Sequence, residues 1–262
     1  MLTVGQVVDF LESFAPSRLA EDWDNVGLLV GSLERRVRKI MTCLTLTERT
    51  AGEAVEREAG LVIAHHPLPF RPQRRWTTDT PAGKVLWDLA ATRVCVYSPH
   101  TAFDSASRGI NQLLAEKIGL QDIRPLVPDA ETPELGVGRQ GTLPAELSLL
   151  ECAQLVKNVL GIKYARAAGS PQMPIQRLAV GCGAADDLLD AAAAAGCQAF
   201  LVGEARFHTC LDAEFRGIGM LMVGHYASER FAVEHLASVL QEQFPQVEVW
   251  PADTEDDPIR WM

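Results

Sequence analysis

The chain has 262 residues, 47% hydrophobic and 22% charged, the make-up of an ordinary soluble globular protein with length for one large domain or two modest ones. Twenty-four Lys and Arg stand against 34 Asp and Glu, and the formal charge of −10 argues against a polyphosphate backbone as partner, because the basic run from Arg71 to Arg75 is short. No basic segment followed by an apolar run opens the chain and no stretch is long enough to span a bilayer, so a cytoplasmic protein without a membrane anchor is expected.

Six cysteines, Cys43, Cys95, Cys152, Cys182, Cys197 and Cys210, are scattered with no CxxC pair, which suits reduced core thiols rather than a disulfide framework. Thr3 and Gln6 make a capping-box start, and Val4, Val7, Val8, Leu11 and Phe14 share one helical face. A turn rich in Trp, Asp, Asn and Gly spans 23–27. Residues 38–46 read as a strand and 48–58 as a helix stopped by Gly60. Leu61 to Ala64 is a short buried strand running straight into His65, His66 and Pro67. A helix near 81–91 leads to a strand at 94–97, and 107–118 is helical again. The Pro- and Gly-rich stretch 121–146 marks a change of lobe. Ser148 and Glu151 open a helix to 160, and a second β/α series follows: strand 177–181, helix 184–195, strand 199–202, helix 205–216, strand 219–223, helix 226–242 and a last strand near 247–250. The acidic tail, with Asp253, Glu255, Asp256 and Asp257, reads as solvated.

Alternating β and α elements predict an α/β protein of two interlinked lobes, with mostly parallel or mixed sheets flanked by helices. The first lobe is expected to take 1–125 together with 222–262 and to carry most of the chemistry; 126–221 would form the second.

Four strands end in groups that bind metal or carry protons: Ala64 leads to His65-His66, Tyr97 to His100 and Asp104, Val202 to Glu204 and His208, and Val223 to His225 and Glu229. Sites in open α/β sheets form outside the carboxyl ends of strands, where loops and helix N-termini converge. Five of the six histidines sit at such ends; only His235 lies inside a helix. Two adjacent imidazoles after a strand point in different directions and suit two ions close together, although a histidine dipeptide alone can equally be a hydrogen-bonded loop. His225 and Glu229, four apart on a helix, can reach one ion or be a surface pair. Asp104 can bridge ions about 3.5–4 Å apart or simply cap a helix. Glu204, His208 and Asp212 recur every four residues, which would put all three on one helical face as an acid/base group or as a plain polar face. Gly181-Cys182-Gly183 is a weak phosphate-loop signal, lacking a third glycine and the lysine.

Glu21-Asp-Trp-Asp-Asn-Val-Gly-Leu-Leu-Val-Gly31, Ile63-Ala-His-His-Pro67, Ser98-Pro-His-Thr-Ala-Phe-Asp104, Gly203-Glu-Ala-Arg-Phe-His208 and Gly224-His-Tyr-Ala-Ser-Glu229 together resemble the Nif-three-like family of hexameric proteins with dinuclear metal centres, often labelled GTP cyclohydrolase I type 2 homologues. The resemblance covers nearly the whole chain. It implies that His65, His66, Asp104, His225 and Glu229 ligate two divalent metal ions (Zn, Fe, Mn, Ni or Mg), with Glu229 or Asp104 bridging. It implies also that His100 and His208 lie beside the ions and that the chain forms a toroidal homo-hexamer. Many members carry an aspartate near Thr45, so a polar contact is expected to be missing there, and the inserted domain of some members is absent.

Two functions follow as expectations. One is a metal-dependent hydrolase of a nucleotide or other small molecule, with His100, His208 and Glu204 as its catalytic groups. The other is a non-catalytic metal-binding ring with a regulatory or scaffold role. Nucleic acid and membrane are not expected as partners.

Overall fold

The computed structural model describes residues 1–260. In chain order the elements are α1 (Val4–Phe14), β1 (Gly27–Val30), β2 (Lys39–Cys43), α2 (Glu48–Glu56), β3 (Leu61–Ala64), α3 (Pro81–Ala91), β4 (Cys95–Ser98), α4 (His100–Ser105), α5 (Ile110–Ile118), β5 (Gln121–Pro128), β6 (Gly136–Ser148), α6 (Leu149–Leu160), β7 (Arg166–Ala168), β8 (Pro174–Gly181), α7 (Leu189–Ala194), β9 (Ala199–Val202), α8 (Phe207–Phe215), β10 (Gly219–Met222), α9 (His225–Gln243) and β11 (Glu248–Pro251). They make two compact units: Met1–Phe103 with the segment from Arg230 onward, and Asp104–Glu229. The result is the expected mixed α/β protein with two helix-flanked sheets. Among the described residues no helix is long and apolar enough to cross a membrane, and all six cysteines are free thiols.

The first unit holds a five-stranded sheet in the order β1-β4-β3-β2-β11. β4, β3, β2 and β11 run parallel, and β1 closes one edge antiparallel to β4. β3 is central and buried along its whole length, which explains an unbroken Leu-Val-Ile-Ala run instead of alternation. Leu61, Val62 and Ile63 each contribute roughly 1.5–3 kcal/mol by leaving water, so register is strongly fixed. Because β3 and β4 are parallel neighbours, with Ile63 opposite Tyr97, their carboxyl ends deliver His65-His66 and His100 to the same edge. Backbone bonds from His65 N to Cys43 O and from His66 N to Leu44 O, both 2.9 Å, extend the ladder past β3 and hold the two histidines against the end of β2. α9 runs on into this unit, where Val233 O accepts from the buried Thr42 hydroxyl at 3.0 Å.

The second unit carries a six-stranded sheet in the order β5-β6-β8-β9-β10-β7. β8, β9 and β10 are parallel, while β5, β6 and β7 pair antiparallel. The parallel trio aligns Gly181 with Val202 and Val202 with Met222, so the segments at Cys182-Gly183, Gly203-Glu204 and Gly224-His225 emerge together.

Several sequence expectations change. Most of the Pro- and Gly-rich 121–146 stretch, for which no strand is expected from the sequence, lies in β5 and β6, and the prolines at 125 and 128 are tolerated because β5 is an edge strand. The Ala-rich helix is confined to Leu189–Ala194, preceded by a 3-10 turn at Asp186–Leu188. The tail is not simply solvated, since the Glu255 side chain is only 5% exposed and accepts from Leu44 N at 2.8 Å and Thr45 N at 2.7 Å.

Candidate metal centre

Three imidazoles meet at the edge of the first unit. His65, His66 and His100 each offer a ring nitrogen, and the three atoms lie within 4.8 Å of one another. The His65 and His66 ring centroids are 5.0 Å apart, and those of His65 and His100 5.2 Å. His65 is buried at 2% exposure, walled on one side by Phe103. One buried and two half-buried imidazoles with their ring nitrogens this close form a donor set that fits a first-row divalent metal.

Each outer ring is aimed by a partner. The Thr45 hydroxyl lies 2.7 Å from His66 Nδ1. A proton on Nδ1 donated to that hydroxyl would leave the Nε2 lone pair for a cation. The polar contact expected to be missing at Thr45 is therefore present, supplied by a hydroxyl. His100 Nδ1 lies 2.7 Å from Asp24 Oδ1, whose other oxygen accepts from Thr101 N at 3.1 Å and Thr101 Oγ1 at 2.5 Å. Burial alone would raise the Asp24 carboxyl; the bonds from His100 and Thr101 outweigh it and hold its pKa at about 2, so the group stays ionised. His100 itself sits at φ 25°, a backbone region uncommon for a side-chain-bearing residue and frequent where a site dictates geometry.

The second unit gathers carboxylates and one imidazole. His225 Nδ1 is 2.5 Å from Glu204 Oε1, and His225 Nε2 is 3.1 Å from Glu229 Oε2. Burial opposes charge on His225, but the carboxylates of Glu229 and Glu204 prevail and push its pKa up to about 9. Gly183 makes room for Glu229: its φ is 60°, and a Cβ there would overlap Glu229 Oε1. Gly183 N donates to Ser228 Oγ at 2.9 Å, tying the β8 loop to the first turn of α9.

Asp104 is fixed from several sides. Its Oδ1 accepts from Cys182 Sγ at 3.2 Å and its carbonyl from Asn111 Nδ2 at 3.2 Å, while Asn111 Oδ1 accepts from Cys182 N at 2.7 Å. The next two carbonyls, Ser105 and Ala106, take the Arg139 guanidinium, which also donates to the Gly136 and Gly138 carbonyls and to Gln112 Oε1. The contacts drawn for this buried cation are all to neutral oxygens, and burial lowers its pKa to about 10.

The expected residues thus fall into a His65, His66 and His100 group in the first unit, and Asp104, Glu204, His225 and Glu229 in the second. Glu204 lies in the loop before α8, not on a helical face with His208 and Asp212; the helix starts only at Phe207, and the carboxylate turns to His225. His208 is exposed, lies against Phe207 and lines a cleft of about 380 Å³ with Asp186, Arg206, Thr209 and Asp212. Sequence reasoning gave no role to Asp24, Asn111, Arg139 or Ser228.

The model of the family described as Duf34/NIF3 (NGG1p interacting factor 3) matches residues 2–258. The chain is 34% identical over 228 residues to a Clostridium perfringens protein named GTP cyclohydrolase 1 type 2 homolog, covering 87% of each. It is also 34% identical over 261 residues to Drosophila melanogaster NIF3-like protein 1, covering 97% of this chain and 87% of that one. A crystal structure of a Bacillus cereus protein related to NIF3 superposes with a TM-score of 0.93 at 22% identity, over 100% of this chain and 99% of the other, which shows a shared fold.

Proposed function

The chain belongs to the Duf34/NIF3 family, and from that premise we propose that it is a dinuclear divalent-metal protein acting as a hydrolase on a nucleotide or another small molecule. The observation that carries the reading is the group of three imidazole nitrogens within 4.8 Å. The resemblance read from the motifs puts forward His65, His66, Asp104, His225 and Glu229 as the ligands. Bound divalent ions supply Lewis acidity and bring a water molecule's pKa toward neutrality.

The chain's own residues then divide the work. Thr45 and Glu204 orient His66 and His225 through their Nδ1 atoms. Asp24 holds His100 in one orientation, so His100 is the group suited to take and return a proton. Asn111 and Cys182 hold Asp104. Among the described residues no carboxylate is paired with His208 as Asp24 is with His100, which makes His208 the weaker catalytic candidate. The substrate side rests on the names of the relatives, several of which read GTP cyclohydrolase 1 type 2 homolog. A homo-hexamer is the assembly proposed with this reading.

Elemental analysis of chelator-free protein tests it, beside His65→Ala and Glu229→Ala. About two ions per chain in the wild type, lost in the variants, is the expected result. Wild-type protein that holds no metal and takes none up on reconstitution sinks the proposal.

A further inference from the structure

An exposed aromatic pair stands beside the histidine group. The Trp23 and Phe70 ring centroids are 5.8 Å apart at 47°, and each lies 6.0 Å from the His100 ring. Trp23 is 60% exposed and Phe70 44%, although burying such rings would contribute more than most side chains. The pair is also held in place. Asn25 Nδ2 donates to Pro69 O at 2.7 Å, lacing the Trp23 turn to the Phe70 loop, and Asp24 anchors the same turn on His100 and Thr101. A rigid, half-exposed aromatic wall loses little entropy when a planar ring stacks on it.

Directly after Phe70 come Arg71, Arg74 and Arg75, all exposed. Among the described residues none of the three has a carboxylate partner, whereas Arg57, Arg216 and Arg230 each hold at least one. The chain has a net charge of −10 and a second basic run at Arg35, Arg36, Arg38 and Lys39, but the run after Phe70 is the one that directly follows an exposed aromatic residue beside the histidine group. Unpaired guanidiniums with their fork of donors match phosphate oxygens.

We propose that Trp23 and Phe70, with Arg71, Arg74 and Arg75, form a binding subsite that stacks the base of a nucleoside polyphosphate and pairs its phosphates. This rests on the reading of the histidine group as the reaction centre, because stacking there sets the base beside His100. A single nucleotide suits the surface better than a strand: there is one ring pair, and the acidic remainder of the chain repels an extended phosphate backbone.

Calorimetric titration of the full-length protein as purified tests the subsite, using GTP, ATP, guanosine, inorganic triphosphate and a dT oligonucleotide as probes, with metal content measured on every variant. GTP and ATP are expected to bind more tightly than guanosine or triphosphate, since base and phosphates are both held. Trp23→Leu and Phe70→Leu should each weaken GTP about tenfold at unchanged metal content, while Trp23→Phe retains most of the affinity. Replacing Arg71, Arg74 and Arg75 together by Ala should weaken GTP and flatten its salt dependence, leaving guanosine unaffected. Nucleotide affinity that is absent, or indifferent to Trp23→Leu and Phe70→Leu, overturns the proposal. So does tighter binding of the oligonucleotide than of GTP, which would make the surface a nucleic-acid site, or loss of metal in Trp23→Leu, which would make the ring a structural support. Trp23-dependent GTP binding in a wild type without metal would uphold the subsite and reject the metal centre, so the two readings fail separately.

Discussion

Thr45 and Gly183 show how single side chains, or the lack of one, set the candidate centre. The Thr45 hydroxyl is the contact that orients His66. Thr45→Val keeps the shape and removes that contact, so metal affinity should fall about 10–100-fold, as for other partners of metal-bound histidines, with little change in melting temperature. Competition with a chromogenic chelator measures it. Gly183 combines a left-handed backbone with the space that Glu229 occupies. Gly183→Ala should cost about 1–3 kcal/mol in a urea titration and displace the carboxylate, lowering metal content as well. Neither role was legible in the sequence. The histidines announced themselves by following apolar strands, but their partners are selected by topology: Asp24 and His100 are 76 residues apart, Thr45 and His66 21, and Glu204 and His225 21.

Elements whose signals are local were the ones that could be read. The capping boxes at Thr3 and Ser148 and the buried run of β3 appear where the pattern puts them. β5 and β6 were missed because proline and glycine punctuate a strand pair whose edge position excuses them. On α2, Glu53 binds the strand β11 and the tail beyond it: its carboxylate accepts from Trp250 Nε1 at 2.9 Å, Asp253 N at 3.1 Å, Thr254 N at 2.9 Å and Thr254 Oγ1 at 2.8 Å. Burial would raise this carboxyl, but those donors prevail and lower its pKa from the usual 4.5. The stabilisation is thus complete above that value and is lost as pH falls through the lower folded-state pKa. Acid titration of the melting temperature should show the loss, and Glu53→Gln should abolish that part of it while costing about 1–3 kcal/mol at neutral pH. On β6, Arg139→Leu strands carbonyls that the guanidinium now satisfies, and should destabilise by roughly 3–5 kcal/mol in the same assay.

For the whole molecule, the alternation of β and α patterns indicated an α/β protein but could not show which surfaces are covered. α8 presents Phe207, Leu211 and Phe215 at 72%, 47% and 91% exposure, spaced four apart on one helical face. Apolar stripes of this kind mark contact surfaces, and a second copy is the partner the proposed hexamer requires. Phe215→Asp should therefore lower the sedimenting mass; a wild type that sediments as a monomer would refute the assembly. The chain order of the two units carries a further implication, for synthesis. The second unit is one continuous stretch, whereas the first is split, with β11 lying beside β2 although about half the polypeptide separates the first unit's two segments. At roughly 5–20 residues per second, the sheet that presents His65 and His66 waits several seconds or longer on the ribosome for its last strand and for the tail glutamate that bonds Thr45. During that interval β2 is an open apolar edge, and the sheet that carries the histidines is complete only once β11 has been made.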